Sequence, residues 1–103
     1  MSEPVHRIRL REPWTAAERP DELLLYRRFG KPSNLRDGET VWLVFPKEVA
    51  IRRVTVNARE LPLAVRSWDV TTVLEERNQI EVMVGSEEDR TAITTGVALE
   101  IRG

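Results

Sequence analysis

Apolar and polar residues alternate along much of this chain in short runs, each closed by Gly, Pro, Asn or Asp, the period-two pattern of half-buried strands. Val5–Arg11 (VHRIRLR) places His6, Ile8 and Leu10 on one face and Arg7, Arg9 and Arg11 on the other. Leu23–Phe29 (LLLYRRF) fits a second strand, although its three leucines suit a helix as well. Thr40–Phe45 (TVWLVF) is apolar on both faces and stops at Pro46, which predicts a strand in the middle of a sheet or at an interface. Arg53–Asn57 turns Val54 and Val56 inward. Asn78–Val84 sets Ile80, Val82 and Val84 on one face and Glu81 and Met83 on the other, and Ile93–Arg102 sets Val97, Leu99 and Ile101 against Ala98, Glu100 and Arg102.

The intervening segments punctuate these strands. Glu12–Pro20 reads as irregular, with Pro13 and Pro20 bracketing Trp14 and one helical turn available over Ala16–Arg19. Gly30–Gly38 is a long turn-rich loop. Asn57–Glu60 turns the chain into Leu61–Val65, which Pro62 confines to an edge or a bulge. Trp68–Val84 is the organising joint: the Asp69 carboxylate suits the free N–H groups of Thr71 or Thr72, Val73 and Leu74 turn to the core, and Asn78 opens the next strand. Gly85–Arg90 reads as an acidic loop. Seven or eight short strands and one short helical turn near Val70–Leu74 define an all-β chain, an antiparallel β-sandwich or barrel.

At 103 residues, one domain over 1–103 is expected, and 41% hydrophobic against 32% charged residues is too apolar for wholesale disorder. A net charge of −1, with arginines scattered among glutamates, gives no basic surface for nucleic acid. No run approaches a membrane span, and Met1–Trp14 lacks the continuous apolar stretch of a secretion signal, so a cytoplasmic protein is expected if this is the whole gene product. Cysteine is absent, which removes disulfides and thiolate chemistry. His6 is the only histidine, so a zinc site would have to rely on carboxylates, and no nucleophile motif accompanies it. No catalytic residue, metal or cofactor is assigned. Glu75–Glu76 and Glu87–Glu88–Asp89 are neighbours in turns rather than carboxylates facing across a cleft, and the second cluster lacks the spacing of a dedicated calcium loop.

Five pieces in order resemble the galactose-binding-like jelly-roll domains, especially the non-catalytic sugar-binding domain at the front of family 2 glycoside hydrolases such as β-galactosidases and β-glucuronidases. They are Val41–Phe45 (VWLVF), Val54–Leu61 (VTVNAREL), Trp68–Leu74 (WDVTTVL), Asn78–Val82 (NQIEV) and Gly96–Glu100 (GVALE). Tyr26, Arg27 and Arg28 resemble the Tyr-Arg-Arg of an earlier strand of that family. Ala58 stands where the family usually has glycine, and the loop between Leu61 and Trp68 is short. The resemblance implies a jelly-roll sandwich, carbohydrate as the inherited ligand class, and Arg28 and Asn57 as ligand candidates. The catalytic barrel of those glycosidases has no counterpart here.

The tryptophans are the remaining candidates, since indoles stack on sugars and anchor protein interfaces. Trp14 stands in a loop, as a sugar platform or as a lid over the sandwich edge. Trp68 takes the family's inward aromatic position and, with Asp69 and Asn78, a structural role. Trp42 and Val44 face outward together if Val41, Leu43 and Phe45 face the core, which makes them interface candidates. Such a face can be covered by the Glu12–Pro20 segment, a second copy of the chain, or a sugar. The expected function is a non-catalytic carbohydrate-binding module. The alternative is a protein-interaction or self-association module, with a homo-oligomer or another protein as partner.

Overall fold

The computed structural model describes residues 6–103. Among these residues, nine strands form two antiparallel sheets that enclose one hydrophobic cluster, as an all-β sandwich should. In chain order the strands are β1 (His6–Arg9), β2 (Thr15–Arg19), β3 (Glu22–Gly30), β4 (Thr40–Val44), β5 (Ile51–Val56), β6 (Arg59–Glu60), β7 (Ser67–Asp69), β8 (Arg77–Val84) and β9 (Ala98–Arg102), with a single helix, α1 (Glu87–Gly96), before the last. The four-stranded sheet runs β1-β9-β4-β7 and the five-stranded sheet β2-β3-β8-β5-β6. Val5, the expected first residue of β1, lies outside the described residues.

Alternation does most of the work. Val41 and Leu43 on β4, Leu25 on β3, Val54 and Val56 on β5 and Ile80, Val82 and Val84 on β8 are completely buried between the sheets. β4 lies between β9 and β7, so its apolar outer face sits mid-sheet. In β5 the alternation skips: Ile51 and Val54 both face inward, and a register shift between Ile51 and Arg53 takes up the extra arginine.

Two segments fold differently from their pattern. Thr15–Arg19 is an edge strand rather than a helical turn, because Pro20 and Asp21 close a two-residue hairpin that pairs Arg19 with Glu22 and Thr15 with Tyr26. Proline at the first central position followed by aspartate is a turn signal, and the pairing with β3 that the turn permits prevails over the helical preference of the alanines. The acidic stretch after Gly85 is a helix, not a loop, and it consumes Ile93, leaving only Ala98–Arg102 for the last strand. Ser86 caps it, its hydroxyl accepting from the Asp89 N–H at 3.4 Å, and Glu87, Glu88 and Asp89 fill the first turn, where the helix dipole favours negative charge. Gly96 ends it against Pro46, where a Cβ would come within 2.5 Å of the proline ring.

The Asp69 joint forms, but as a hydrogen-bonded turn over 71–73 rather than the helical turn expected near Val70–Leu74. Asp69 Oδ1 accepts from the Thr71 N–H at 3.0 Å and the Thr71 hydroxyl at 2.6 Å, while the Val73 and Leu74 N–H groups donate to Val70 O. The Thr71 hydroxyl bond first, then its N–H, holds the Asp69 carboxyl below the usual carboxylate value. Leu61–Val65 forms no strand; only Arg59–Glu60 pairs with β5.

Candidate functional site

Two asparagines stitch the joint to the five-stranded sheet, and they decide the fate of one ligand candidate. Asn57 donates its amide to Val73 O (3.1 Å) and Asn78 Oδ1 (2.8 Å) and accepts the Gln79 N–H at 3.0 Å. Both of its amide protons are thus spent inside the protein, and it offers a ligand almost nothing. Asn78, buried at 4% exposure, donates to Glu75 O and Phe29 O and accepts from the Glu75 N–H and Asn57. Its role is structural.

Trp14 is likewise spent. Only 5% of it is exposed, and its indole N–H donates to Leu10 O at 2.8 Å, so it closes the edge of the sandwich and presents no ring face to a sugar. Trp68 is a core plug at 6% exposure, edge-on to Phe45 with centroids 5.3 Å apart, and its N–H donates to Pro62 O.

Trp42 and Val44 face outward as the register requires, both half-buried. Within the chain, Trp42 is covered by Arg102 and not by the Glu12–Pro20 segment, whose Thr15–Arg19 pairs with β3 in the other sheet. The Arg102 guanidinium lies 4.3 Å from its ring centroid, and the indole N–H donates to the Thr40 hydroxyl at 3.0 Å. Glu100, between Arg7 and Trp42 in the sheet register, binds Arg102 through Oε1 and Arg7 through Oε2. The hydrogen bonds from Arg102 and then Arg7 hold its carboxyl below the usual value, against the opposing effect of burial. A cation over an indole, itself fixed by a buried carboxylate, gives Trp42 a polar cover from within the chain. Among the described residues, Val65 is the only exposed large apolar side chain.

The outer face of the five-stranded sheet is different. Three adjacent strands bring Tyr26, Glu81 and Thr55 into one row across it, with Thr15 on one flank and Glu60 on the other. The next row holds Leu24, Met83 and Arg53, and the row beyond Tyr26 holds Arg28 beside Gln79. Glu81 sits at the centre, taking the Gln79 amide at 3.0 Å on Oε1 and the Thr55 hydroxyl at 3.4 Å on Oε2. Two open depressions flank the Tyr26 row. One, of about 120 Å³, is lined by Arg19, Leu24, Arg53, Thr55, Glu81 and Met83. The other, of about 370 Å³, is lined by Pro13, Thr15, Tyr26, Arg27 and Arg28, at the notch where β2 begins and β3 runs on uncovered. Here Arg27 is tied back to Arg11 O and Arg28 O, whereas the exposed Arg28 side chain has no hydrogen-bond partner among the described residues.

Of the sequence candidates, only Arg28 lies on this face. Alternation alone does not single out Tyr26, Thr55, Gln79 and Glu81 as a group. Residues two apart on a strand share a face, so each signal is visible separately, but the register joining β3, β8 and β5 is not. Among the described residues no cluster of three or more His, Asp or Glu side chains is placed to hold a metal, and no helix is long and apolar enough to cross a membrane. The fold and this face define an antiparallel β-sandwich with an amphipathic sheet surface. Compared with known protein families, curated proteins and solved structures, the chain matches none.

Proposed function

We propose that this protein is a non-catalytic carbohydrate-binding module whose ligand lies on the outer face of the five-stranded sheet. The observation that carries the reading is the Tyr26–Glu81–Thr55 row with Gln79 and Arg28 beside it. A sugar ring has an apolar face and an equatorial belt of hydroxyls. An aromatic ring set among planar hydrogen-bonding side chains answers both. Glu81 is pre-oriented by Gln79 and Thr55, so little side-chain freedom remains to be lost on binding. The ordered resemblance to the sugar-binding domain of family 2 glycoside hydrolases supports the same ligand class.

Hydrolysis is not part of the proposal. Glycosidases set two carboxyl groups on opposite sides of the scissile bond. Glu81 and Glu60 instead lie side by side on one surface, flanking Thr55, and Glu60 pairs with Arg53 at 3.4 Å. Self-association through Trp42 finds less support, because Arg102 and Glu100 already satisfy that face.

The test is a glycan array followed by titration of hits with amide chemical-shift mapping. Millimolar or tighter binding, with shifts centred on residues 24–28 and 79–83, is expected. Tyr26→Ala should weaken it roughly tenfold or more, a loss of about 1.4 kcal/mol, with the fold retained by far-UV circular dichroism. Silence across the array, or shifts confined to the other sheet, overturns the reading.

A further inference from the structure

The shape of the face is more specific than the ligand class. Resting on the carbohydrate reading, we infer that the ligand is a linear oligosaccharide laid lengthwise along β3, with the two depressions as separate subsites on either side of Tyr26. The Leu24 row and the Arg28 row are four residues apart on β3, about 13 Å at the rise of an extended strand. That span exceeds one pyranose ring, and a single sugar at Tyr26 cannot reach both rows.

Each depression combines apolar side chains with hydrogen-bonding ones, as a sugar ring requires. Leu24 and Met83 line the first depression together with Arg19, Arg53, Thr55 and Glu81. Tyr26 and Glu81, register partners on β3 and β8, line the second and the first depression respectively, so the two depressions meet at this pair. Beyond it the second depression combines Pro13 with the Thr15 hydroxyl and the exposed Arg28 guanidinium. Neither depression is closed by a lid, and one ring resting on an open sheet buries only one side. Affinity on such a surface is gathered by covering successive subsites, since each added unit no longer loses independent freedom of translation. The notch beside Arg28 leaves that end open, so a longer chain can continue past it.

The experiment is calorimetric titration of the intact protein with gluco-, xylo- and galacto-oligosaccharide ladders, from monosaccharide to hexasaccharide, together with any array hit in the same graded lengths. Affinity should rise roughly tenfold or more from one unit to three and then level off. Met83→Ala and Arg28→Ala, at opposite ends, should each flatten that rise, read as the ratio of trisaccharide to monosaccharide affinity, with retained far-UV circular dichroism as the folding control. Length-independent binding, with shifts confined to one depression, overturns this inference and leaves the carbohydrate reading standing. Absence of binding at every length overturns both.

Discussion

Ala58 is the residue at which this fold carries a correctable strain. The hairpin between β5 and β6 has a two-residue loop, Asn57–Ala58, between the paired Val56 and Arg59. Both loop residues are left-handed, with φ of 51° and 67°. That is the geometry of the mirror-image turn whose twist suits a hairpin, and it favours Asn followed by Gly. Asn tolerates the conformation. Alanine, with a Cβ against the following carbonyl, loses about 1–2 kcal/mol there. Ala58→Gly removes that cost but gives the unfolded chain extra freedom, worth about 0.4–1 kcal/mol in the opposite direction. The net expectation is stabilisation by roughly 0.5–1 kcal/mol, or about 2–8 °C in melting temperature for a chain of this size. Urea titration should show a higher midpoint at an unchanged slope, the mark of altered stability rather than altered compactness. The neighbouring Asn57→Gly should do the reverse, because it discards the side-chain bonds to Val73, Asn78 and Gln79. If Ala58→Gly proves neutral or destabilising at constant slope, the strain argument is wrong.

Two further outcomes follow from buried polar groups. Asn78→Ala should cost roughly 2–4 kcal/mol, since it removes bonds to Glu75, Phe29 and Asn57 at a buried position and strands their partners; a urea midpoint within error of wild type would refute it. Glu100 has a depressed folded-state value, so its contribution is fully present above its ordinary value of 4.5 and is lost as pH falls through the folded value. The stability gap between wild type and Glu100→Gln should therefore be constant at neutral pH and shrink below about pH 4.5; a gap independent of pH down to the acid transition would contradict the ion-pair account.

Much of the sandwich is legible because strands announce themselves locally. β4, β5 and β8 follow from alternation within a few residues, and their core faces require no knowledge of their neighbours. The departures have a common cause in competing local signals. Ala16 and Ala17 favour a helix, but the Pro20–Asp21 hairpin and pairing with β3 outweigh a propensity worth only tenths of a kcal/mol. In Ser86–Gly96 the helix signal is present in the sequence: a Ser followed three residues later by Asp, acids in the first turn and a glycine at the end form a capped helix. The run of charge resembles a solvated loop because the helix buries only Ile93 and Thr94.

The site is less legible than the fold, for a reason that Trp42 and Tyr26 share. Both stand on outward faces, where alternation identifies a direction but not a neighbour. Glu100 and Arg102, two apart on β9, share a face by the same rule; only the pairing of Trp42 with Glu100, and of Arg7 with Glu100, turns them into a cover over the indole. Tyr26 meets Glu81 rather than an arginine, because β3 pairs with β8 in that register. One aromatic is thereby closed off by a cation held on a buried acid, and the other is left beside an oriented carboxylate with open depressions along its strand. A one-residue slip of β3 against β8 would put Leu25 and Arg27 on the outer face and send Tyr26 into the core. The completely buried Leu25 holds the register against that slip, and the same burial that stabilises the sandwich therefore fixes which side chains its outer face can offer a ligand.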